Sequence, residues 1–460
     1  MSWFIPTVRY LGGILLFAGG ALLCNAGAYG FSAALFLILG TLECFLIYSE
    51  DRRILNLRTF MTISWWLGVA AASLKLSLLS SPFGVKTWMA IGGFYFAFLF
   101  AYDLVAFLLR KRRAGEPEAP GKERSVPGGE SNKRIFFSIF IVGGLSLAGL
   151  LAEAIRYDFQ FPIFVADTPH AYTEFHLTGV HYFVVTSVFV PALTVYYLFR
   201  EKPDRLKKAL LIAVNLAALA VPVLLLSKIY LALSFAFPFL VFLLMQKRFS
   251  RKKIFAMMAG IAVLSAVAFA VLVSRRQYPE GYLESIFRFK DPNTPVALQY
   301  PYIYVANNFE NLNLLIESND PLTYGIRQSF PAAALTGLKF LGPIGQLYVF
   351  PQHHTIEELT TRTLIYDAYG DFGSAGVIVF GILLGLLAYF LTDRVRKRVT
   401  LVRALLYAQI SVYFGLAFFS TWFSEATTWF WFAATAAIGI FVREKKPSGE
   451  KGLEKHEKSV

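Results

Sequence analysis

TRTLIYDAYGDFGSAGVIVFGILLG, residues 361–385, passes from a polar, glycine-rich segment straight into an apolar run. The apolar part extends over 375–391, enough to cross a bilayer as a helix, for which about 17–25 predominantly apolar residues suffice. The polar part closes an interval, 274–374, of about a hundred residues, whereas connections in compact proteins ordinarily run to about 4–6. An interval of that length usually carries function. It is rich in aromatic residues and holds Arg275, Arg276, Arg288, Arg327, Arg362, the pair His353-His354 and the pair Glu357-Glu358.

On either side the chain is a series of apolar runs with short connections. The same length criterion predicts spans at 10–28, 30–48, 60–79, 87–109, 135–154, 180–199, 209–226, 229–246 and 254–273 before the interval, and 375–391, 405–420 and 427–442 after it. With 56% hydrophobic residues, 16% charged and a mean hydropathy of +0.54, the composition is that of a membrane protein. The expected fold is all-α and polytopic, with about twelve transmembrane helices and a large extracytoplasmic loop between the ninth and tenth. The formal charge of +14 does not signal nucleic acid, because Lys and Arg gather in short clusters at the ends of apolar runs. Cys24 and Cys44 both fall inside spans and read as packing residues. The first span is followed at once by another, which fits a retained helical hairpin rather than a cleaved signal.

Placing both termini in the cytoplasm puts 33 of the 44 Lys and Arg residues on the cytoplasmic side. That asymmetry satisfies the positive-inside rule and sends the long interval outside. Residues 331–350 are apolar but broken by Gly337, Gly342, Pro343 and Gly345. They are expected to be interfacial or re-entrant, since an extra crossing would put the 394–398 basic cluster outside. The expected organisation is four helices over 1–109, a disordered linker at 110–134, five helices over 135–273, the loop 274–374, three helices over 375–442 and a charged tail at 443–460.

The outward connections collect cations: Arg156, Lys228, Arg275, Arg276, Arg288, Arg327 and Arg362. Positive charge on that side opposes insertion, so an anion is expected to meet them. Arg binds phosphate bidentately, and the membrane boundary is where the diphosphate of a lipid-linked substrate would lie. His353, His354, Glu357 or Glu358 could take a proton from an attacking hydroxyl. Adjacent histidines point apart and no third ligand stands at metal spacing, so no metal is expected. The connection 155–179 adds Asp158, Asp167, His170, Glu174 and His176 as polar groups. Glu43 and Asp103 lie near cytoplasmic span ends, where pairing with basic residues is expected, and Lys75 lies toward an outer end. Gly381 and Gly385 form a small-xxx-small pair that predicts close helix packing.

The stretch 366–385 (YDAYGDFGSAGVIVFGILLG) resembles the tyrosine-rich, Asp-Phe-Gly approach to a late helix in the Wzy-type oligosaccharide repeat-unit polymerases, within the group that includes O-antigen ligases. Residues 301–317 (PYIYVANNFENLNLLIE) and 321–335 (PLTYGIRQSFPAAAL) resemble the preceding part of that family's large external loop, and 173–193 its second external loop with the helix that follows. The resemblance covers about the C-terminal two thirds of the chain and the twelve-helix layout. The chain departs at HAYTEF, where an arginine is common before Glu174, and at Lys228, where the family often has Arg.

What the resemblance implies is transfer of a polyprenyl-diphosphate-linked glycan, of the undecaprenyl type, to a hydroxyl of another lipid-linked repeat. It implies the outer face of a bacterial or archaeal cytoplasmic membrane, in O-antigen or capsule synthesis, with no cofactor. Its partners would be the lipid-linked oligosaccharide, membrane lipids, and a chain-length regulator and flippase of the same pathway. Arg275, Arg276, Arg327 and Arg362 would hold the diphosphate, with Lys228, Arg156, Glu174 and Tyr366 also on the substrate. His353, His354 or Glu358 would be the base, and Tyr300, Tyr302, Tyr304 and Tyr348 would offer faces to sugar or prenyl chain.

Two other readings remain open: a ligase moving the glycan to a different acceptor, and a lipid-linked oligosaccharide flippase, which would hold its polar groups near mid-membrane. A polyprenyl-phosphate-sugar transferase is disfavoured because the connection 25–30 (NAGAYG) has no carboxylate.

Overall fold

A computed structural model of the chain describes residues 4–51, 56–113, 129–165, 174–246, 260 and 281–444. Among these, the first half of the chain is a run of helices: α1 (Phe4–Asn25), α2 (Tyr29–Asp51), α3 (Leu57–Ser73), α4 (Val85–Arg113) and α5 (Asn132–Arg156). Then follow α6 (His181–Val184), joined through a 3-10 turn (Val185–Val188) to α7 (Phe189–Leu198), and α8 (Arg205–Leu224) and α9 (Lys228–Met245). Several are started by side-chain caps: Asn56 accepts from Thr59 N at 2.9 Å and Asp204 from Lys207 N at 2.8 Å. Eight helices among the described residues are long and apolar enough to cross a membrane. Leu15, Leu22 and Phe31 are each more than two thirds exposed on their helices, a surface for lipid rather than water. The chain is an all-α polytopic membrane protein. The expected span at 254–273 lies outside the described residues, as do 114–128 of the linker and 445–460 of the tail.

The long interval is helical rather than loop-like. It carries α10 (Tyr282–Phe287), α11 (Val296–Glu317), α12 (Ile326–Thr336), a 3-10 turn (Leu338–Phe340) and α13 (Gly342–Gln346). Residues 331–350 form no spanning helix; Phe340, Leu341, Leu347 and Val349 are exposed along them. The late helices are α14 (Tyr366–Lys397), α15 (Leu401–Gly415) and α16 (Ala426–Val442). α14 starts at Tyr366 rather than at 375, and is kinked at Gly373, whose φ of 61° and ψ of −150° only glycine adopts readily. The apolar run fixed the crossing, but the polar residues before it joined the helix, where Asp371 holds them against α12.

The structure divides into two compact units, one of Met1–Ala119, Tyr278–Asp393 and Ile410–Phe430 and the other of Pro120–Gln277, Arg394–Gln409 and Trp431–Val460. In the first, α14 packs on α4 through the predicted small residues. A Cβ at Gly381 would lie 2.6 Å from Phe94 O, and one at Gly385 2.3 Å from Phe98 O.

The expected pairing of Glu43 and Asp103 is present. Arg9 reaches Glu43 at 2.6 Å and Asp103 at 3.1 Å, and Arg58 holds Glu50, Asp51 and Asp103 at 2.8 Å each. Arg58 is 2% exposed, so removing it strands carboxylates inside the protein. We expect Arg58→Ala to cost about 3–5 kcal/mol. This would be seen as a fall in the thermal unfolding midpoint in detergent that Arg58→Lys recovers only in part; an unchanged midpoint would show the network to be dispensable. Lys75 is also structural. It leaves the end of α3 at φ 48° to meet Glu310 of α11 at 2.6 Å, with its ammonium 3.2 Å from the Phe83 ring centroid, which is why α3 stops short of the predicted 79.

In the second unit, fully buried Glu153 holds His181 Nδ1 at 2.9 Å and accepts from Leu177 N at 3.0 Å. At its other end Glu130 accepts from Leu401 N at 3.0 Å and pairs with Arg200, so the last residues of the predicted linker are tied down.

Candidate functional site

The second turn of α14 and the first turn of α12 are locked together by Asp371. Its carboxylate accepts from Arg327 N (3.0 Å), Gln328 N (2.9 Å) and the Thr323 hydroxyl (2.5 Å), while Thr323 N and Tyr324 N donate to Gly370 O and Asp371 O. Asp371, the acid of the Asp-Phe-Gly motif, is therefore a helix cap, and it satisfies the α12 amides that an anion would otherwise find.

This lock sets Arg327. The residue is 3% exposed, and its guanidinium carbon sits 4.5 Å from the Phe350 ring centroid and 6.0 Å from that of Tyr366. Gly370 makes the approach feasible, since a Cβ there would stand 2.6 Å from Arg327 Nε. The nearest carboxylate, Asp367 Oδ1, lies 3.9 Å from Nη1, beyond hydrogen-bond distance. Arg327 Nε is buried with no hydrogen-bond partner. Arg362 lies over the same tyrosine, 4.7 Å from its centroid, donates to Gln352 Oε1, and likewise leaves Nε buried and unpartnered. Two guanidiniums with unspent donors thus share one aromatic platform. Tyr366 itself is fully buried, so its ring carries the arginines and is not open to a sugar.

The segment bearing the histidines is clamped by α11, whose buried face is unusually polar. Asn311 donates to Leu359 O and Thr361 O and accepts from Thr355 N; Asn307 accepts from the Thr355 hydroxyl. His353 Nε2 meets Asp320 at 2.6 Å. His354 Nε2 is 3.1 Å from Gln352 Oε1. Because Arg362 also donates to that oxygen, His354 carries its proton on Nε2 and leaves the buried, unpartnered Nδ1 as a lone pair. Burial, then the Arg362 charge, then His353 push the His354 pKa below its ordinary value, so the ring is neutral near pH 7. Compared with protein-family models, with curated proteins and with solved structures, the chain matches none of them.

The other predicted residues fall elsewhere. Glu358 is exposed and accepts from the Tyr282 hydroxyl at 2.7 Å, and Glu357 is exposed. Arg288 is exposed at the end of α10. Arg275 and Arg276 lie outside the described residues, as do Asp167 and His170. Arg156, Glu174 and Lys228 belong to the second unit: Arg156 is exposed, 5.7 Å from the Tyr157 ring centroid, Glu174 is exposed, and Lys228 opens α9 half-buried. Tyr300 stacks on Tyr304 at 4.9 Å and Tyr304 on Phe419 at 6.3 Å, Tyr302 accepts from Leu76 N, and Tyr348 meets Ser329. No group of three or more potential metal ligands occurs among the described residues.

Three residues at the site were not singled out from sequence. Gln352 orients both Arg362 and His354. Asp367 is the counter-charge nearest Arg327, and Ser424 and Thr421 act on it from the turn before α16. Glu425, between α15 and α16, interacts electrostatically with Asp367 and Arg362. Glu425 did carry a signal: it is the sole acidic residue between Asp393 and Glu444, set between two apolar helices.

Proposed function

We propose that this chain is a metal-independent membrane glycosyltransferase that joins polyprenyl-diphosphate-linked oligosaccharide repeat units at the outer face of a cytoplasmic membrane. The observation that carries the reading is the pair Arg327 and Arg362 on the Tyr366 ring, with buried Nε donors that no group among the described residues accepts. A diphosphate supplies acceptor oxygens for two guanidiniums, and in a site shielded from water their charge acts most strongly as negative charge grows on the leaving group. Fixed guanidiniums also orient the donor, so that the attacking hydroxyl meets the anomeric carbon without a further search. The reaction needs no nucleotide, because the diphosphate is already a good leaving group.

The test is a reconstitution. Protein in lipid vesicles receives a polyprenyl-diphosphate-linked repeat unit, and the glycans are resolved on a gel. A ladder of added repeats is the expected result. A single product on a separate, non-repeat acceptor would make it a ligase, and an unchanged band that changes leaflet would replace the enzyme reading with a flippase.

A further inference from the structure

The sequence permits two placements of 331–350, interfacial or re-entrant, and the structure separates them. Re-entrant backbone at membrane depth must be buried in protein or line a water-filled cavity. Here Leu338, Phe340, Leu341, Ile344, Leu347 and Val349 are all exposed, Phe340 by 61% and Val349 by 78%. Gly342 and Pro343 among them are exposed as well. An apolar patch of this extent marks a surface that something covers.

Depth, continuity and charge identify the cover. Asp371 accepts from the amides of Arg327 and Gln328 at 3.0 Å and 2.9 Å, and it lies one turn, about 6 Å along a helix, before the apolar run that begins at Ala375. α12 therefore starts close to the level at which α14 enters the membrane. The segment 338–349, an arm after α12, is held near that level because it doubles back on the helix. The Phe330 ring lies 6.0 Å from that of Tyr348 and 5.4 Å from Lys339 Nζ, and Ser329 Oγ is 3.3 Å from the Tyr348 hydroxyl. Along α14, Val379 and Leu383 are exposed by 55% and 56%, as a lipid-facing side requires. Before the kink, Phe372 is 45% exposed and meets Tyr324, 76% exposed, edge-on at 6.5 Å, so the apolar surface continues from α14 to the start of α12. From 321 to 352 the chain has no Asp or Glu, and its Lys and Arg residues are the buried Arg327 and Lys339. Lys339 holds its ammonium 4.9 Å from the Phe340 ring. A lone cation beside exposed apolar side chains matches a phospholipid, which sets a phosphate above acyl chains.

We propose that the arm 338–349 is seated in the bilayer leaflet at which α14 begins, with Phe340, Leu341, Leu347 and Val349 among the acyl chains of phospholipids and the Lys339 ammonium at their phosphates. The seat sets the height of Arg327. Phe350, which follows the arm, places its ring 4.5 Å from the Arg327 guanidinium carbon, while Asp371 holds the Arg327 amide from the side of α14. The guanidinium is thus fixed between a spanning helix and a leaflet-seated arm. This inference goes beyond the glycosyl-transfer reading and does not depend on it.

The experiment is nitroxide labelling of the full chain in vesicles of phosphatidylcholine and phosphatidylglycerol, at Phe340→Cys, Leu341→Cys and Val349→Cys. Collision rates are measured with oxygen, which concentrates in lipid, and with a water-soluble nickel chelate. Leu383→Cys gives the lipid value and Glu357→Cys, exposed in the same interval, the water value. The labelled parent, whose Cys24 and Cys44 lie in α1 and α2, is the blank. The three arm positions should shift from the oxygen-to-nickel ratio of Glu357→Cys to that of Leu383→Cys. If they keep the Glu357→Cys ratio, the arm stands in water and the proposal is wrong. If neither reagent reaches them, protein covers the arm, as in a second copy of the chain, and the proposal is equally wrong. Each position is read separately, so one variant that fails to fold does not decide the result. Lys339→Glu, which would bring a carboxylate to the phosphates, should move the Val349→Cys label toward the water value; no movement would take Lys339 away from the headgroups.

Discussion

Arg327→Ala should leave the membrane-embedded protein folded and unable to build a glycan ladder. In preorganised sites one donor to a developing anion is worth about 10²–10³ in rate, and Arg327 offers several while Asp367, its nearest carboxylate, stays 3.9 Å away. Its burial at 3% means that water does not compete for the guanidinium, which raises the value of each contact. Truncation frees no strong internal hydrogen bond, so stability should fall far less than activity. Its own amide still donates to Asp371, and the α12 cap survives. Arg327→Lys keeps the charge but not the planar fork, and should recover only part of the rate. The measurements are single-turnover rate, polyprenyl diphosphate affinity and thermal midpoint for both variants. A ladder of wild-type rate from Arg327→Ala would remove the diphosphate seat from this place.

The parts of this arrangement that sequence disclosed were those with local or periodic signals. The places of the spans, though not the ends of α3 and α14, followed from apolar runs, and the Gly381 and Gly385 spacing foretold the approach of α4 to α14. The pairing of Glu43 and Asp103 followed from carboxylates lying near basic span ends. Arg327 and Arg362 were candidates because cations are unusual on that side. What sequence could not disclose depends on contacts between distant segments. Tyr366 sits in a motif that suggested a sugar face, yet its ring is fully buried beneath Arg327 and Arg362. The Asn-rich face of α11 has no helical apolar stripe facing the segment it holds, because its partners are main-chain groups of 355–361. Asp371 and Asp367 lie one turn apart on one helix, and only the position of α12 makes one a cap and the other a counter-charge. Glu425 acts electrostatically on Asp367 and Arg362 from about sixty residues downstream of Arg362, which no spacing rule predicts.

A methyl group placed at Gly370 provides the sharper test of the same site, because that residue carries no chemistry. In Gly370→Ala the new Cβ would fall 2.6 Å from Arg327 Nε, 2.7 Å from Cδ and 3.0 Å from Cζ. The contacts are with the far part of a flexible side chain, so the fold need not move; the guanidinium must. Gly370 is in a helical turn without a positive φ, and alanine there is favoured over glycine by about 0.5–1 kcal/mol. The variant should therefore be as stable as wild type while its arginine is displaced. A misplacement of about 1 Å can cost on the order of 10²-fold in rate, and we expect repeat addition to fall by that order with the thermal midpoint held. Gly12→Ala, where a Cβ meets nothing within 4 Å, is the matched control and should leave the rate unchanged. Should Gly370→Ala polymerise like wild type, the position of the Arg327 guanidinium is not what the reaction uses. Were activity and stability to fall together, the lock between α12 and α14 would be the cause, and Arg327→Ala, which leaves that lock in place, would separate the two effects.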